Sequence, residues 1–335
     1  MRSSPFSGRI LVTGGAGFIG SALVWALNQR GVDNILIADF LGSGPKWRNL
    51  NPLRFADYVE ADRLRANLDK LADVSLVLHL GACSSTTESD VAYLMDNNYA
   101  WTRELAGWAV ERGIRFVYAS SAATYGDGSQ GMADGDAPLD GLRPLNPYGY
   151  SKHLFDLQAR RLGWLDHIVG LKYFNVFGPN EDHKGEMRSL VHKAFGQIKS
   201  EGRVRLFRSY RPEFADGEQQ RDFLYVKDAV EMTLHLAGCG ATGLYNIGSG
   251  VSSTWLELAR SLFAALDLPE AVEFVDMPEE LRSRYQYFTR ADLSRLRARG
   301  YSAPPISLRA GVQDYVKTYL VPDRRLGDEG LVDIL

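Results

Sequence analysis

A chain of 335 residues, 45% of them hydrophobic, is long enough to bury a full core and to form two domains, or one domain with a second lobe. Its 38 basic and 41 acidic residues leave a formal net charge of -3, which supplies no basic field for a polyanion, so nucleic acid is not an expected partner. Residues 1–10 lack the apolar core of a secretory signal and no run approaches the roughly 20 apolar residues of a membrane span, so no membrane is expected and the expected location is the cytoplasm.

In chain order, residues 10–12, 35–39, 76–80, 116–120 and 169–173 are short, nearly all-apolar runs, the pattern of strands covered on both faces. Between them, residues 21–30, 91–112 and 147–162 carry helical periodicity, with Gly31 and Gly113 placed as C-terminal stops. The alternation predicts an α/β fold built on a doubly wound parallel sheet of the Rossmann kind. Beyond Tyr173 the regularity fades: a helix is expected over 188–199, a polar loop over 208–220, and strands again at 224–226 and 244–247. That return predicts a smaller α/β substrate-binding domain interleaved with the first. Residues 1–173, 225–250 and 286–302 are assigned to the dinucleotide-binding domain, and 174–224, 251–285 and 303–320 to the substrate domain. Residues 321–335 read as a loose tail.

The run at 10–12 leads straight into Thr13-Gly14-Gly15-Ala16-Gly17-Phe18-Ile19-Gly20 and then a helix. Glycines at 14, 17 and 20 allow a tight turn whose N–H groups approach a pyrophosphate at the helix N-terminus. Asp39 ends the next strand 19 residues after Gly20, where a carboxylate can accept from ribose hydroxyls; strand, helix and carboxylate together predict a bound dinucleotide. Asp39 favours NAD. Lys46 is either a cation for a 2'-phosphate or a solvated loop lysine. Leu80-Gly81-Ala82-Cys83-Ser84 follows the strand at 76–80, and its small residues let a cofactor lie across the sheet edge, Cys83 reading as a packing residue. Cys83 and Cys239 lack CxxC or histidine spacing, so both read as free thiols and no metal is expected.

Tyr148 and Lys152 form the chain's one Tyr-x-x-x-Lys, preceded by Asn146 as N-cap and Pro147 at the first helical position. Four residues apart, they share a helix face, and the ammonium is expected to lower the phenol pKa enough for it to act as a base. Ser121 lies at the end of the strand at 116–120, where its hydroxyl can bond the reacting oxygen; Thr124 is the expected second contact.

Together with GACSSTTE (81–88), MDNNY (95–99), YASSAATYG (118–126), NPYGYSK (146–152), YFNVFGP (173–179), HKGEM (183–187), RDFLYV (221–226) and RYQYFTRADL (284–293), these residues resemble the extended short-chain dehydrogenase/reductase family over about 9–320. The closer resemblance is to its ADP-heptose 6-epimerases. It implies an isomerase that oxidises C6'' of ADP-D-glycero-D-manno-heptose with tightly bound NADP, NAD being the alternative, and returns the hydride to the other face. Supply of lipopolysaccharide cores and a homo-oligomer, with a pentamer among the forms, follow from the same resemblance.

Carried over residue by residue, Tyr148 and Lys184 match the two acid/base groups. Phe18, Ile19, Asp39, Phe40, Lys46, Leu80 to Ser84, Asn97, Lys152, Val176 and Lys184 match the cofactor lining. Ser121, Asn175, Glu186, Phe207, Arg221 and Tyr285 match the substrate site, with Arg221 as the diphosphate clamp or, in the alternative, a surface ion pair with Asp222. The chain departs from the family pattern at Phe40, Ala61 and Glu186, and 211–220 reads as an insertion.

Three rivals remain. A 4,6-dehydratase needs an Asp-Glu pair that residues 121–125 lack. A UDP-hexose 4-epimerase shares Tyr148, Lys152 and Ser121 without needing Lys184. A non-catalytic dinucleotide sensor has no use for the Tyr-x-x-x-Lys.

Overall fold

A computed structural model describes residues 6–135, 139–282 and 285–329. Its strands are β1 (Arg9–Thr13), β2 (Ile35–Asp39), β3 (Asp57–Glu60), β4 (Val74–His79), β5 (Arg115–Ser121), β6 (Val169–Tyr173), β7 (Asn175–Phe177), β8 (Val204–Phe207), β9 (Gln220–Tyr225), β10 (Gly243–Ile247), β11 (Ser252–Thr254) and β12 (Val272–Val275). Seven of them form one parallel sheet in the order β10-β6-β5-β4-β1-β2-β3.

Alternation explains how the central strands can be apolar throughout. Ile10 and Val12 enter a core with Ala22, Leu23, Ala229 and Val230 from the helices Phe18–Asn28 and Val226–Gly238. Leu11 enters the opposite core with Trp101, Leu105 and Phe155. This doubly wound order reverses between β1 and β4, and the crevice it opens at the strands' carboxyl ends is where ligands of such sheets bind.

A three-stranded sheet, β11-β9-β7, and a two-stranded one, β12-β8, build the surface opposite. The strand read at 224–226 starts at Gln220 and belongs to this smaller sheet, and Val226 already begins a helix. The supposed insertion at 211–220 therefore ends in a strand. β3 escaped the sequence pattern because Asp57–Glu60 is short and half-exposed, as befits a sheet edge. The helix expected over 188–199 runs Leu190–Glu201 behind a Ser189 cap.

The helix expected over 91–112 is interrupted by a π-helical turn, Met95–Ala100. Residues 321–329 correct the reading of a loose tail: Leu326 is fully buried, its N–H donating to Asn180 Oδ1 at 3.1 Å, and Arg325 is buried against Asp182. An apolar anchor and an arginine that reach back to an earlier loop give no periodicity to read. Residues 330–335 of that tail lie outside the described residues. Among the described residues no helix is long and apolar enough to cross a membrane.

Beneath the carboxyl ends of β5 and β6 lies a buried ion pair, Lys172 Nζ to Asp156 Oδ2 at 3.0 Å. Tyr118 and Ser120 each donate to the Asp156 carboxylate at 2.8 Å, and Lys172 donates to Thr124 Oγ1 at 2.6 Å. Removing one buried partner strands the other charge. Asp156→Leu is expected to lose about 3–5 kcal/mol in urea denaturation, and Asp156→Leu combined with Lys172→Met to recover at least half of that.

Candidate active site

The loop after β1 fits a dinucleotide because glycine leaves the space for it. Gly14 has φ +67°, and a Cβ there would stand 2.6 Å from the Gly81 nitrogen; one on Gly20 would stand 2.0 Å from the Gly14 oxygen. Gly14 and Gly81 therefore meet through backbone atoms. Gly81 N–H also donates to Thr13 Oγ1 at 3.1 Å.

Asp39 is more heavily engaged than expected. Its carboxylate accepts from the N–H of Ala16 at 2.8 Å and of Phe40 at 2.7 Å, and pairs with Lys46. A carboxylate offers about four acceptor positions, so one remains for a ribose hydroxyl. Lys46 is thus not a solvated loop lysine. Phe40 stands about half exposed at the rim.

In the second loop, Asn98 accepts from Cys83 N–H at 2.8 Å and donates to Cys83 O at 3.0 Å, fixing the segment that carries Leu80 to Ser84. The π-helical turn lets Asn97 face the cleft while its neighbour Asn98 is fully buried. Asn98 escaped the sequence reading; its one signal was two adjacent asparagines, poor helix formers, within a helical pattern.

Asn146 caps the helix Pro147–Arg161 by accepting from Gly149 N–H at 2.8 Å, which sets Tyr148 in the first turn facing Ser121 at the end of β5. Burial pushes the Tyr148 phenol above its ordinary pKa, and its hydrogen bond with Ser121 pulls it down. Lys152 turns its ammonium to Ala119 O, to which it donates at 2.9 Å. Lys152 itself is pushed down to about 8 by burial, against the pull of Asp156. Thr124 is no substrate contact, since it is fully buried, donates to Ser121 O at 2.8 Å and accepts from Lys172.

Lys184 sits in the short turn Asp182–Met187, its ammonium 5.3 Å from the centre of the Phe18 ring. Burial lowers its pKa and Glu181 opposes the shift. Arg221, on β9, is 6% exposed; its guanidinium lies 5.0 Å from the Tyr285 ring and 5.6 Å from that of Trp255. Among the described residues no carboxylate pairs with Arg221. Asp222 accepts instead from the N–H groups of Ser249, Gly250 and Ala291, at 2.6, 2.9 and 2.9 Å. Arg221 is therefore a buried cation open to an anionic ligand.

One cleft of about 1270 Å³ is lined by the candidate residues read from the sequence apart from Thr124. Asn175 and Val176 reach it from β7, Phe207 from β8, and Glu186 from the turn that carries Lys184. His183, beside Lys184 in that turn, was not singled out by the sequence reading. Burial and the neighbouring Lys46 and Lys184 push it down to about 4, so it is neutral at physiological pH.

A glycine cradle at the switch point of a doubly wound sheet, with a tyrosine-lysine pair at its edge, defines a dinucleotide-dependent enzyme acting on an alcohol or ketone. The chain belongs to the NAD dependent epimerase/dehydratase family, whose sequence profile matches residues 10–248. It is accordingly an isomerase of the epimerase type that uses a nicotinamide dinucleotide. It is 51% identical over 314 residues to an ADP-L-glycero-D-manno-heptose-6-epimerase of Nitratidesulfovibrio vulgaris strain DP4, covering 92% of this chain and 97% of that one.

Among solved structures, the Helicobacter pylori ADP-L-glycero-D-manno-heptose-6-epimerase superposes with a TM-score of 0.78 at 26% identity, covering 95% of this chain and 98% of that one. A UDP-N-acetylglucosamine 4-epimerase of Methanobrevibacter ruminantium gives 0.79 at 26% identity, covering 94% and 99%. Backbone shape thus does not separate the two kinds of epimerase.

With its pKa pushed down to about 8, Lys152 holds a proton less readily in the folded chain than unfolded, where 10.5 applies. Its charge therefore costs stability fully below pH 8, and the cost fades as pH rises to 10.5. Lys152→Met is expected to gain about 1–3 kcal/mol at pH 7, to lose that gain by pH 10.5, and to abolish turnover; urea denaturation at both pH values checks the first two.

Proposed function

We propose that this enzyme converts ADP-D-glycero-D-manno-heptose to ADP-L-glycero-D-manno-heptose at C6'', through a ketone and with tightly held NADP. The observation that carries the reading is that Tyr148 and Lys184, from separate elements, line the same cleft as the glycine cradle. Returning the hydride to the opposite face of the ketone leaves the hydroxyl of the second epimer on the other side of the carbon, where a second acid/base group can serve its oxygen without the intermediate turning over. The 51% identity to a heptose epimerase supports the choice of sugar.

A bound nicotinamide dinucleotide supplies reversible hydride acceptance and, when oxidised, a positive charge that lowers a nearby phenol. The glycine loop, Asp39, Lys46, the residues Leu80 to Ser84, Asn97, Lys152 and Val176 would hold it. Tyr148, hydrogen-bonded to Ser121, takes the hydroxyl proton of one epimer and returns a proton to the same face in reverse. Lys184 does the same for the other epimer; burial lowers its pKa, the direction that a lysine base needs. Ser121 holds the reacting oxygen, and Arg221 clamps the substrate diphosphate through its forked donors. Asn175, Glu186, Phe207 and Tyr285 complete the substrate wall. The setting we place it in is a cytoplasmic homo-oligomer supplying ADP-heptose for lipopolysaccharide cores.

NADP is favoured over NAD because Asp39 is largely satisfied by Ala16, Phe40 and Lys46, which leaves an ammonium rather than a bare carboxylate at the ribose end of the cleft. Dinucleotide released by denaturing the purified protein is expected to be NADP. Lys46→Ala is expected to weaken NADP retention by about tenfold and to raise the share of NAD.

The deciding measurement is the C6'' epimer ratio, followed by NMR after adding ADP-D-glycero-D-manno-heptose without exogenous cofactor. Movement toward the L epimer is expected, and Lys184→Ala should slow it by about 10²-fold or more. No movement, from protein that contains its dinucleotide, would overturn the heptose reading in favour of a UDP-hexose.

A further inference from the structure

The segment 321–329 plays no part in the site as described, yet it is bound to the two turns that carry Lys46 and Lys184. Asp323 pairs with Arg48 at 3.1 Å, two residues beyond Lys46. Arg325 reaches Asp182 at 3.4 Å, two residues before Lys184, and Leu326 N–H donates to Asn180 Oδ1 at 3.1 Å. The same Asn180 donates from its side-chain amide to Ser21 Oγ at 3.0 Å, in the helix that follows the glycine loop. Asn180 is fully buried with φ +76°, a left-handed conformation that asparagine adopts more readily than most non-glycine residues.

Asn49 closes this arrangement. It is 2% exposed, and its two amide hydrogens are shared among three acceptors, Ala16 O in the glycine loop and Asn180 O, both at 3.0 Å, and His183 Nδ1 at 3.2 Å. As the amide nitrogen can only donate, His183 Nδ1 is the acceptor, in keeping with its neutral state. One side chain thus ties the cofactor cradle to the turn next to Lys184. Asp182 also meets His192 at 3.1 Å, so the turn is held from the tail side and from the helix Leu190–Glu201 at once.

We propose that Asn49, Asn180 and Arg325 are positioning residues, through which the 321–329 segment holds Lys184 in register with the dinucleotide loop. The inference rests on the reading of Lys184 as the second acid/base. Lys184 lies on a turn of six residues, not inside a long element, so contacts of this kind must supply the rigidity that proton transfer needs. A displacement of about 1 Å at such a group lowers the rate by up to about 10²-fold.

The test uses the full chain with its captive dinucleotide and the variants Arg325→Gln, Arg325→Lys, Asp182→Asn and Lys184→Ala. Asp182 has a side chain 29% exposed, and asparagine keeps its size while removing the charge that meets Arg325. Dinucleotide content and near-ultraviolet circular dichroism establish the folded state. Reduced-nicotinamide absorbance is then followed in a single turnover from each pure epimer. Arg325→Gln and Asp182→Asn are expected to slow reduction about 10-fold or more with the epimer that Lys184 serves, to leave the Tyr148-served epimer within about twofold, and to keep the dinucleotide, with Arg325→Lys recovering part of the loss.

Equal slowing from both epimers, or wild-type rates in both variants while Lys184→Ala is slow, would overturn the positioning role and leave Lys184 standing. Wild-type rates in Lys184→Ala would instead overturn the reading on which the proposal rests.

Discussion

Two backbone segments meet at the carboxyl ends of β1 and β4 with almost no space between them. Gly14 and Gly81 touch through main-chain atoms, and the helix that starts at Phe18 can approach only because Gly20 also lacks a side chain. That contact sets the distance between the glycine loop and the Leu80-to-Ser84 loop, and so the width of the cleft. The sheet order fixes where the contact falls, because β1 and β4 are the neighbours from which the two halves of the sheet wind apart. Ser121 ends the next strand along, β5, and the Tyr148 helix packs against that strand's end, so these side chains reach the cleft from beside this contact.

The cleft concentrates cations that folding alone does not favour. Lys152, Lys184 and Arg221 all have their pKa values pushed down by burial, the cost of holding charge away from water. Two buried carboxylates away from the cleft are closely satisfied: Asp156 by Lys172, Tyr118 and Ser120, and Asp222 by three backbone N–H groups. The contrast marks the cleft as a place where the matching anions come from ligands. A dinucleotide and a nucleoside-diphosphate sugar each bring a diphosphate, the charge that such buried cations lack. Neutral His79 and His183, pushed down to about 3 and about 4, line or support the region without adding charge.

The smaller sheets contribute side chains, not the cradle. β7, β8 and β9 bring Asn175, Phe207 and Arg221 to face the glycine loop, and the turn with Lys184 lies between β7 and the helix Leu190–Glu201. Lys184 therefore depends on packing between distant parts of the chain, and Asn49, Asn180 and Arg325 supply it.

The parallel sheet and the dinucleotide cradle were legible in the sequence because both are local. An all-apolar strand, a glycine-rich turn, an amphipathic helix and a carboxylate at the next strand end follow one another within 39 residues, and the Asn146 cap, Pro147, Tyr148 and Lys152 fall within seven consecutive residues at one helix start. Lys184, Arg221 and Tyr285 carry no such local signal, and resemblance to a family singled them out where physical reasoning from spacing did not.

What only the tertiary structure decided are the relations across long separations in sequence. The sequence left Lys46 open and gave Thr124 to the substrate; the fold pairs the first with Asp39 and spends the second on Lys172. It also turned a polar, aperiodic tail into a brace, since burial of Leu326 and Arg325 depends on loops nearly 150 residues earlier in the chain. Periodicity reports which face of an element is buried; it carries no record of which distant element does the burying.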